Sequence, residues 1–512
     1  MDTPQEYNAV TRLLDDNVAR GFGDKPAFID PERTLTYAEL QTASNRVANM
    51  LGALDMRREG RVAILMHDSV DYPVVFWGAI RAGIIPVCLN TLLQRDQYAY
   101  MLADSRAEVL IVSAPLLEII RPIVTQMPAL RHVIVAGGDE ATLPTLSALM
   151  AAASERFETV ATSRDETAFW LYSSGSTGAP KGVRHVHTSL AYVADHYGAQ
   201  VLGLQHDDVV FSAAKFFFAY GLGASMAMPM SVGATTILLP GRPTPKAVLD
   251  RLKTHNATLF FGVPTLYAAM LADPECTPEN SSPNLRMCIS AGEALPADIG
   301  SKWQAKMKAP ILDGIGSTEM LHIFLSNTPE DIRYGTSGRE IPGYKLRLVD
   351  GEGAQVPDGE LGELLVSGGS AGDGYWNQRA KSRATFAGMW VHTGDKYTRD
   401  ADGYYHYSGR TDDMFKVSGR WVSPFEVEQA LVAHPAVLEA AVVAHEDANG
   451  LIKPKAFVVL NDHTNIDGLF EILKTHVKSE IGVWKYPRWI EFTTDLPKTA
   501  TGKIQRFKLR QP

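Results

Sequence analysis

Short apolar runs alternate with helical patterns through most of this 512-residue chain. A short apolar run bounded by turn residues is typical of a buried strand, and its alternation with helices is typical of parallel sheets. The pattern therefore predicts an α/β fold. Strands are predicted at residues 61–66, 84–88, 109–112, 133–135, 168–171, 234–239, 258–261 and 287–290, and helices at 72–82 and 188–196.

The pattern changes near Gly409. Residues 335–407 are rich in turns and aromatic side chains, and the runs at 345–349 and 363–366 predict antiparallel strands of a barrel-like unit. Further on, helices are predicted at 424–433 and 467–481, and strands at 440–444 and 455–460. We predict two domains: residues 1–411, with two packed βαβ-type sheets plus a small β-barrel, and residues 412–512, a small mobile α+β domain.

Charge and cysteine content narrow the possible partners and locations. With 49 basic and 58 acidic residues the formal net charge is -9, which argues against a nucleic-acid partner. Cys88, Cys276 and Cys288 lack the spacing of a zinc site and predict free thiols in the cytoplasm. Neither a secretory signal nor a bilayer-spanning stretch is recognised, so no membrane partner is expected. The oligomeric state stays open, with a homodimer among the options.

The segment YSSGSTGAPKG, residues 172–182, is the strongest local motif. Its glycines let backbone N–H groups point at an anion, its hydroxyls add donors, and its lysine adds positive charge. A plain Ser/Gly surface turn is the alternative. Two residues separate the last glycine of the turn from the lysine, so the segment is not a Walker A loop. The predicted polyphosphate site consists of Ser173, Ser174, Gly175, Ser176, Thr177, Gly178 and Lys181.

This loop and the motifs that follow it resemble the adenylate-forming superfamily, which includes acyl-CoA synthetases, luciferases and peptide-synthetase adenylation domains. The motifs are SAGEALP (290–296), DGIGSTE (313–319), GELGEL (359–364), TGD (393–395), GRTDD (409–413) and PKTATGKI (497–504). They occur in the family's order, and the resemblance covers nearly the whole chain. The resemblance implies ATP, Mg²⁺ and coenzyme A as ligands.

The resemblance also implies roles for single residues. Thr318 would donate to a phosphate oxygen, and Glu319 would help to hold Mg²⁺, which prefers oxygen ligands. Asp395 and Arg410 would bind the ribose, although each alone could be an ordinary surface charge. The nucleotide is further expected to contact Gly292, Glu293, Ala294, Asp313, Gly314, Ile315 and Gly316. Ile315 departs from the family, because many members have an aromatic residue there.

The resemblance also implies that the smaller domain adopts two conformations, with different C-terminal residues acting in each. Lys503 would enter the site only for adenylation, where its ammonium balances developing charge. The smaller domain would then rotate about Asp412 and present the coenzyme A-binding residues Lys416, Ser418 and Gly419. On sequence alone, a plain acidic turn at Asp412 and Asp413 is the alternative.

Two stretches predict an aromatic acid as substrate: FSAAKFFFAYGLG, residues 211–223, and MLHIF, residues 320–324. Neither offers a carboxylate for a substrate ammonium, which argues against amino acids. The stretches resemble those of benzoate-CoA and 4-hydroxybenzoate-CoA ligases, although the aromatic residues could simply be core. The implied ring site is lined by Phe218, Ala219, Tyr220, His322 and Ile323, with Lys215 near the substrate carboxylate.

The predicted reaction is ATP-dependent ligation of benzoate or a substituted benzoate to coenzyme A through an aryl-AMP. An enzyme that loads the acid onto a carrier protein is one alternative, and an inactive nucleotide-binding protein is another. The six charged or hydroxyl residues whose loss would mark degeneration are all present: Lys181, Thr318, Glu319, Asp395, Arg410 and Lys503. The sequence does not decide between benzoate and 4-hydroxybenzoate, because an apolar pocket rejects an added hydroxyl only weakly.

Overall fold

The computed structural model describes residues 6–138, 140, 142–173, 179–417, 420–447, 450–461, 466–482, 484–498 and 504–510. The chain divides into two compact units. The first comprises Met1–Lys345 and Val366–Val391, and the second comprises Leu346–Leu365 and His392–Pro512. The domain boundary at residues 411 and 412 stays a prediction.

Strands and helices alternate up to Glu340. The strands are β1 Pro26–Ile29, β2 Thr34–Thr36, β3 Arg61–Leu65, β4 Ile85–Cys88, β5 Val109–Ser113, β6 His132–Ala136, β7 Thr167–Ser173, β8 Lys181–Val186, β9 Val209–Ser212, β10 Thr235–Ile237, β11 Leu259–Gly262, β12 Met287–Ser290, β13 Ile311–Gly316, β14 Ile323–Ser326 and β15 Arg339–Glu340. The α-helices are α1 Tyr37–Ala53, α2 Asp71–Arg81, α3 Arg95–Ser105, α4 Leu117–Val124, α5 Leu146–Ala151, α6 Thr188–Val193, α7 Ala219–Leu222, α8 Met228–Val232, α9 Pro245–His255, α10 Pro264–Ala272 and α11 Ala297–Met307. Short π-helical runs cover Thr11–Asp15, Val18–Phe22, Ala194–Ala199 and Gly223–Ala227, and single 3₁₀ turns cover Ala114–Leu116 and Pro278–Asn280.

These strands form two sheets. One has the order β6-β5-β3-β4-β7-β8, and its strands are parallel except for β8, which is antiparallel to β7. The other has the order β15-β14-β13-β12-β11-β9-β10-β1-β2, parallel from β13 to β1 and antiparallel at both ends. The predicted α/β class is therefore confirmed. The helix predicted at 188–196 begins at Thr188, as expected, and it is preceded by strand β8, which was not predicted.

Helix α1 begins in a capping box and connects different parts of the first unit. Thr36 Oγ1 accepts from the backbone N–H of Glu39, and the Glu39 carboxylate accepts from that of Thr36. The hydroxyl of Tyr37 donates to the carbonyl of Ala234 at 2.7 Å. Helix α2 packs so closely on α1 that a Cβ at Gly78 would lie 2.5 Å from the side chain of Val47.

From residue 345 onward the strands are β16 Lys345–Val349, β17 Gly362–Ser367, β18 Phe386–Ala387, β19 Trp390–Arg399, β20 Tyr405–Arg410, β21 Phe415–Val417, β22 Arg420–Val422, β23 Val437–Glu446, β24 Ile452–Leu460 and β25 Trp489–Phe492. The helices are α12 Arg379–Thr385, α13 Pro424–Val432, α14 Leu469–Ile481 and α15 Arg506–Leu509. In the first unit β18 pairs with the start of β19, and in the second unit Asp395–Arg399 pair antiparallel with β20. The strands and helices predicted after residue 413 are found in β23, β24, α13 and α14.

The second unit has its own core under the sheet β23-β24-β25. Helices α13 and α14 pack on strands β23 and β24, and apolar residues of all four elements are buried there: Val427, Leu431, Val442, Val458, Leu473 and Val477. Across the described parts of both units, none of the helices has the length and apolar character needed to cross a bilayer.

Candidate active site

The loop predicted to bind polyphosphate connects two antiparallel strands. Strand β7 ends at Ser173, β8 begins at Lys181, and these two residues are paired in register. The antiparallel ladder therefore fixes the two ends of the motif side by side. Five predicted loop residues lie outside the described residues: Ser174, Gly175, Ser176, Thr177 and Gly178.

Both ends of this loop contact the carboxylate of Glu319. Ser173 Oγ donates to Glu319 Oε1 at 3.2 Å, and Lys181 Nζ lies 3.8 Å from the same oxygen. The lysine and glutamate side chains are only 18% and 14% exposed, so their charges are poorly screened by water. The structure thus brings together three residues that the sequence predicted for one site.

Glu319 is presented by a tight turn after strand β13. The strand ends at Gly316, and the N–H of Met320 donates to Ser317 Oγ at 3.2 Å. Nε2 of the buried His185 donates to the Thr318 carbonyl at 2.9 Å. Burial lowers the pKa of His185 to about 4, so the imidazole is neutral near pH 7 and its single N–H is committed to this turn. Strand β8 therefore positions Thr318 and Glu319 as well as Lys181.

Tyr375 joins Lys181 and Glu319 and was missed by sequence reasoning. Its hydroxyl donates to Glu319 Oε1 at 2.7 Å and accepts from Lys181 Nζ at 3.1 Å. Lys181 Nζ also lies 4.3 Å from the centroid of the Tyr375 ring. Ser173, Lys181, Glu319 and Tyr375 are called the polar cluster below.

Asp313 holds the segment 292–294, which is predicted to contact the nucleotide. It is paired in register with Ser290 of the neighbouring strand β12, directly before that segment. Its buried carboxylate accepts from the backbone N–H of Leu295 at 3.3 Å, and burial raises its pKa well above the ordinary value. Around it, Gly292 and Glu293 are exposed, Ala294 and Ile315 are half-buried, and Gly314 is buried.

The glycines of strand β13 permit close approach by the next strand. A Cβ on Gly316 would lie 2.4 Å from the His322 carbonyl oxygen, and a Cβ on Gly314 would lie 2.9 Å from that of Leu325. Because β13 and β14 are adjacent antiparallel strands, these glycines keep the turn that carries Glu319 compact.

Tyr220 and His322 form the centre of an aromatic cluster. Their ring centroids lie 5.5 Å apart, and His322 Nε2 donates to the Tyr220 carbonyl at 3.1 Å. The Tyr220 hydroxyl donates to the carbonyl oxygens of Gly262 and Ile289 at 3.1 and 3.0 Å. Phe261, which was not predicted, lies 6.0 Å from the Tyr220 ring and 6.5 Å from the His322 ring. Two predicted ring-site residues are therefore in contact.

The remaining predicted ring-site residues have different surroundings. Ala219 and Ile323 are buried, and Phe218 is half-buried with its ring 4.4 Å from that of Phe217. Lys215 donates to the carbonyl of Gly241 at 2.8 Å and to that of Leu239. Its ammonium is thus engaged with backbone carbonyls, and its predicted position near a substrate carboxylate stays a prediction.

Asp395 and Arg410 are neighbours within the second unit. They are paired in register on β19 and β20, and Arg410 Nη1 donates to Asp395 Oδ1 at 3.1 Å. The same nitrogen donates to the Thr393 carbonyl at 2.9 Å. Burial opposes the charge of Arg410, but the adjacent Asp395 outweighs it and the pKa of Arg410 is raised. The two residues predicted to bind the ribose thus form an ion pair.

The other predicted residues of the second unit are only partly described. Asp412 lies in the turn after β20, and its carbonyl accepts from Arg510 Nη2 at 3.5 Å. Lys416 is exposed on β21, with its ammonium 4.9 Å from the Trp421 ring centroid. Ser418, Gly419 and Lys503 lie outside the described residues.

Two family descriptions match this chain. "AMP-binding enzyme" matches residues 15–376, and "AMP-binding enzyme C-terminal domain" matches residues 426–503. The chain belongs to the AMP-binding enzyme family.

This AMP-binding enzyme is similar to proteins named as aryl-CoA ligases. It is 55% identical to a 4-hydroxybenzoate–CoA/benzoate–CoA ligase of Rhodopseudomonas palustris, across 99% of this chain and 94% of that protein. It is 53% identical to a benzoate–CoA ligase of Thauera aromatica, across 99% and 96% of the two chains. A crystal structure of an anthranilate CoA ligase in complex with anthranoyl-AMP matches with a TM-score of 0.95 and 43% identity, across 99% and 98% of the two chains.

The described residues of this AMP-binding enzyme include no group of three or more His, Cys, Asp or Glu side chains that could hold a metal ion. Glu319 is a single carboxylate: Oε1 accepts from Ser173 and Tyr375, and no donor bonds Oε2 among the described residues. Mg²⁺ is commonly held by one or two carboxylates together with substrate phosphates. The donor set at Glu319 therefore fits Mg²⁺ that arrives with a nucleotide.

Proposed function

We propose that this enzyme ligates benzoate or a ring-substituted benzoate, such as 4-hydroxybenzoate, to coenzyme A through an aryl-AMP. The observation that carries the proposal is that a single turn bears both halves of the site. Glu319 of the polar cluster and His322 of the aromatic cluster are three residues apart on that turn. Charged groups suited to a triphosphate thus lie next in the chain to an aromatic cluster suited to a substrate ring.

The first half-reaction joins the acid to AMP. A carboxylate oxygen attacks the α-phosphorus of ATP and forms a P–O bond. The bond from the α-phosphorus to the oxygen that bridges it to the β-phosphate breaks, and pyrophosphate leaves with that oxygen. Lys181 and the loop between Ser173 and Lys181 hold the departing phosphates, and Thr318 donates to them. Glu319 would hold Mg²⁺, which when bound neutralises phosphate charge. Lys503 balances the charge that develops between the two reactants.

The second half-reaction moves the acyl group to sulfur. The thiolate of coenzyme A attacks the acyl carbon, a C–S bond forms, and the C–O bond to AMP breaks. Asp395 and Arg410 hold the ribose of the nucleotide. Lys416, Ser418 and Gly419 guide the pantetheine after rotation about Asp412, which is the expected hinge.

His322 provides a reason to expect activity with hydroxybenzoates. Its Nε2 donates to the Tyr220 carbonyl, and its Nδ1 has no hydrogen-bond partner among the described residues. Burial lowers the pKa of His322 to about 3, so Nδ1 keeps its lone pair near pH 7 and can accept a hydrogen bond. Nδ1 is sealed from solvent, so a substrate hydroxyl reaches it once the side chains around His322 move, and that contact is favoured because an unpaired buried polar atom is costly. We therefore expect 4-hydroxybenzoate to be used alongside benzoate.

The proposal is tested by acid-dependent exchange of pyrophosphate into ATP. The acids are benzoate, hydroxy-, amino- and halobenzoates, cyclohexanecarboxylate and hexanoate. Exchange should be fastest with the aromatic acids. Faster exchange with hexanoate would refute the aryl assignment, and no exchange with any acid would indicate an inactive nucleotide-binding protein.

The acceptor is tested separately. Thioester formation is followed with free coenzyme A and with a phosphopantetheine-bearing carrier protein. Coenzyme A should be the better acceptor, and a preference for the carrier would make this a carrier-loading enzyme. We place the reaction in the cytoplasm, a reducing compartment compatible with the buried free thiols of Cys88, Cys276 and Cys288.

A further inference from the structure

Tyr375 lies between the two charges of the polar cluster. Its hydroxyl is 2.7 Å from Glu319 Oε1 and 3.1 Å from Lys181 Nζ, whereas the ammonium and the carboxylate are 3.8 Å apart. The last distance exceeds the usual range of a hydrogen bond, while the first two lie within it. The phenol thus accepts from the cation and donates to the anion, and no direct Lys181–Glu319 hydrogen bond forms.

The segment around Tyr375 is fixed by backbone bonds to strand β8. The N–H of Asp373 donates to the Arg184 carbonyl at 2.8 Å, and the N–H of Arg184 donates to the Gly374 carbonyl at 3.1 Å. The N–H of Trp376 donates to the Gly182 carbonyl at 2.8 Å. Because Lys181 begins the same strand, Tyr375 and Lys181 are held by one backbone ladder.

The side chains of this segment add two further constraints. The indole of Trp376 donates to the Asp104 carbonyl at 2.9 Å and lies 4.8 Å from the ring of Trp170. Gly374 has a φ of 115°, a conformation that side-chain-bearing residues rarely adopt. Tyr375 itself is 4% exposed, with its ring 5.3 Å from that of Phe386 in an edge-on arrangement. The hydroxyl is therefore held in place by its surroundings.

We propose that Tyr375 is a positioning residue that keeps Lys181 and Glu319 separated and available to ATP and its cation. This inference rests on the proposed function, in which the two side chains serve a triphosphate and Mg²⁺. Without the hydroxyl, the flexible lysine can close the 3.8 Å ion pair with the glutamate into a direct hydrogen bond. Binding of the nucleotide would then first have to break that pair, and affinity for ATP would fall.

The test is Tyr375→Phe, which removes the hydroxyl and keeps the ring beside Lys181 and Phe386. We expect the Kd of Mg·ATP, measured by calorimetry without acid, to rise roughly tenfold or more, as is usual for lost hydrogen bonds to charged groups. The KM for ATP should rise with it, and the KM for the acid should stay near the wild-type value. Thioester formation from supplied benzoyl-AMP and coenzyme A should also be retained, since that step has no triphosphate to hold.

Tyr37→Phe is the matched control. It also removes a buried phenol hydroxyl, which donates to the Ala234 carbonyl instead of touching the polar cluster. Its Kd for Mg·ATP should equal that of the wild type. An unchanged Kd in Tyr375→Phe, or an equal loss in both half-reactions, would overturn the positioning role.

A second comparison separates positioning from a general loss of structure. In a Lys181→Met background the ion pair cannot form, so adding Tyr375→Phe should weaken Mg·ATP binding much less than it does in the wild type. Equal effects in both backgrounds would contradict the proposal. If the wild-type enzyme exchanges pyrophosphate with no aromatic acid, the proposed function fails, whereas the calorimetric comparison still decides the role of Tyr375.

Discussion

Glu319 carries the negative charge of the polar cluster, and its oxygen Oε1 accepts from Ser173 and Tyr375. Glu319→Gln keeps the size of the side chain and an acceptor oxygen but removes the charge. We expect pyrophosphate exchange to fall by roughly two to three orders of magnitude, the usual effect of removing one transition-state stabiliser. Thioester formation from supplied benzoyl-AMP should persist. Exchange close to the wild-type rate would remove Glu319 from the proposed metal site.

His187 makes the first unit sensitive to acid. Its Nδ1 accepts from the N–H of Ala9 at 3.2 Å, and burial lowers its pKa from 6.5 to about 4. As pH falls through this window the unfolded chain takes up a proton that the folded protein does not, so the free energy of unfolding decreases. Between pH 7 and pH 5 this contribution amounts to about 2 kcal/mol.

His187→Gln keeps an acceptor for Ala9 and cannot titrate in that window. The thermal midpoint of the variant should therefore fall less than that of the wild type between pH 7 and pH 5. Identical decreases in the two proteins would show that His187 does not contribute to acid sensitivity.

Sequence reasoning found the residues of the polar cluster that lie in recognisable motifs. Ser173, Lys181 and Glu319 were predicted, and the structure brings them into contact. Tyr375 was missed because it lies 56 residues beyond Glu319 and shares no spacing with it. Only the pairing of its segment with β8 brings it to the site, and such pairing depends on the whole first unit. The glycine at 374, before two aromatic residues, was the one local sign of a constrained backbone.

At the scale of elements, strand β8 shows why some strands cannot be predicted from the order of apolar and polar residues. Val183 and His185 are buried while Arg184 and Val186 are half-buried, so the strand has alternating faces. Both a histidine and an arginine lie within this strand, which hid the alternation. Strands β3 and β12 are more uniformly apolar and were predicted nearly to the residue, because burial on both faces demands continuous apolar side chains.

Helix α15 is tied to the second unit by a buried ion pair. Arg506 donates to both carboxylate oxygens of Glu428, at 2.8 and 2.6 Å, and Glu428 Oε1 also accepts from the N–H of Val442. The Glu428 side chain is 6% exposed. Arg506→Met would leave that carboxylate buried without its partner, at a cost of about 3–5 kcal/mol. The second unit should therefore unfold at a lower temperature.

Lys474→Met provides the comparison for this prediction. It removes a lysine that pairs with the well-exposed Glu471 at 3.0 Å, and such pairs contribute about 0.2–1 kcal/mol. Calorimetric scanning should show a large decrease in the unfolding temperature for Arg506→Met and a small one for Lys474→Met. Equal shifts would mean that the Arg506–Glu428 pair contributes no more than a surface pair.

For the whole molecule, the sequence predicted the α/β class and some of the strands and helices, whereas its domain boundary at residues 411 and 412 stays a prediction. Residues 346–365 belong with the second unit, although they precede the predicted boundary by many residues. The sequence predicts strands β16 and β17 as antiparallel, but their residue pattern does not indicate which of the two compact units they join. Such an assignment depends on contacts between distant segments.

The two half-reactions require different groups, and Lys503 should separate them. Lys498 and Ile504 are the described residues nearest to Lys503 on either side, and they form an antiparallel bridge. Lys503→Ala should reduce adenylate formation by at least about a hundredfold, since a charge that stabilises the transition state is lost. Thioester formation from supplied benzoyl-AMP should proceed near the wild-type rate.

Lys498→Ala is the control. It removes a lysine paired with Glu439 at 2.7 Å and should leave both half-reactions nearly unchanged. An equal loss of both half-reactions in Lys503→Ala would mean that this lysine acts in a single conformation. The proposed rotation about Asp412 would then not be needed to explain the two half-reactions.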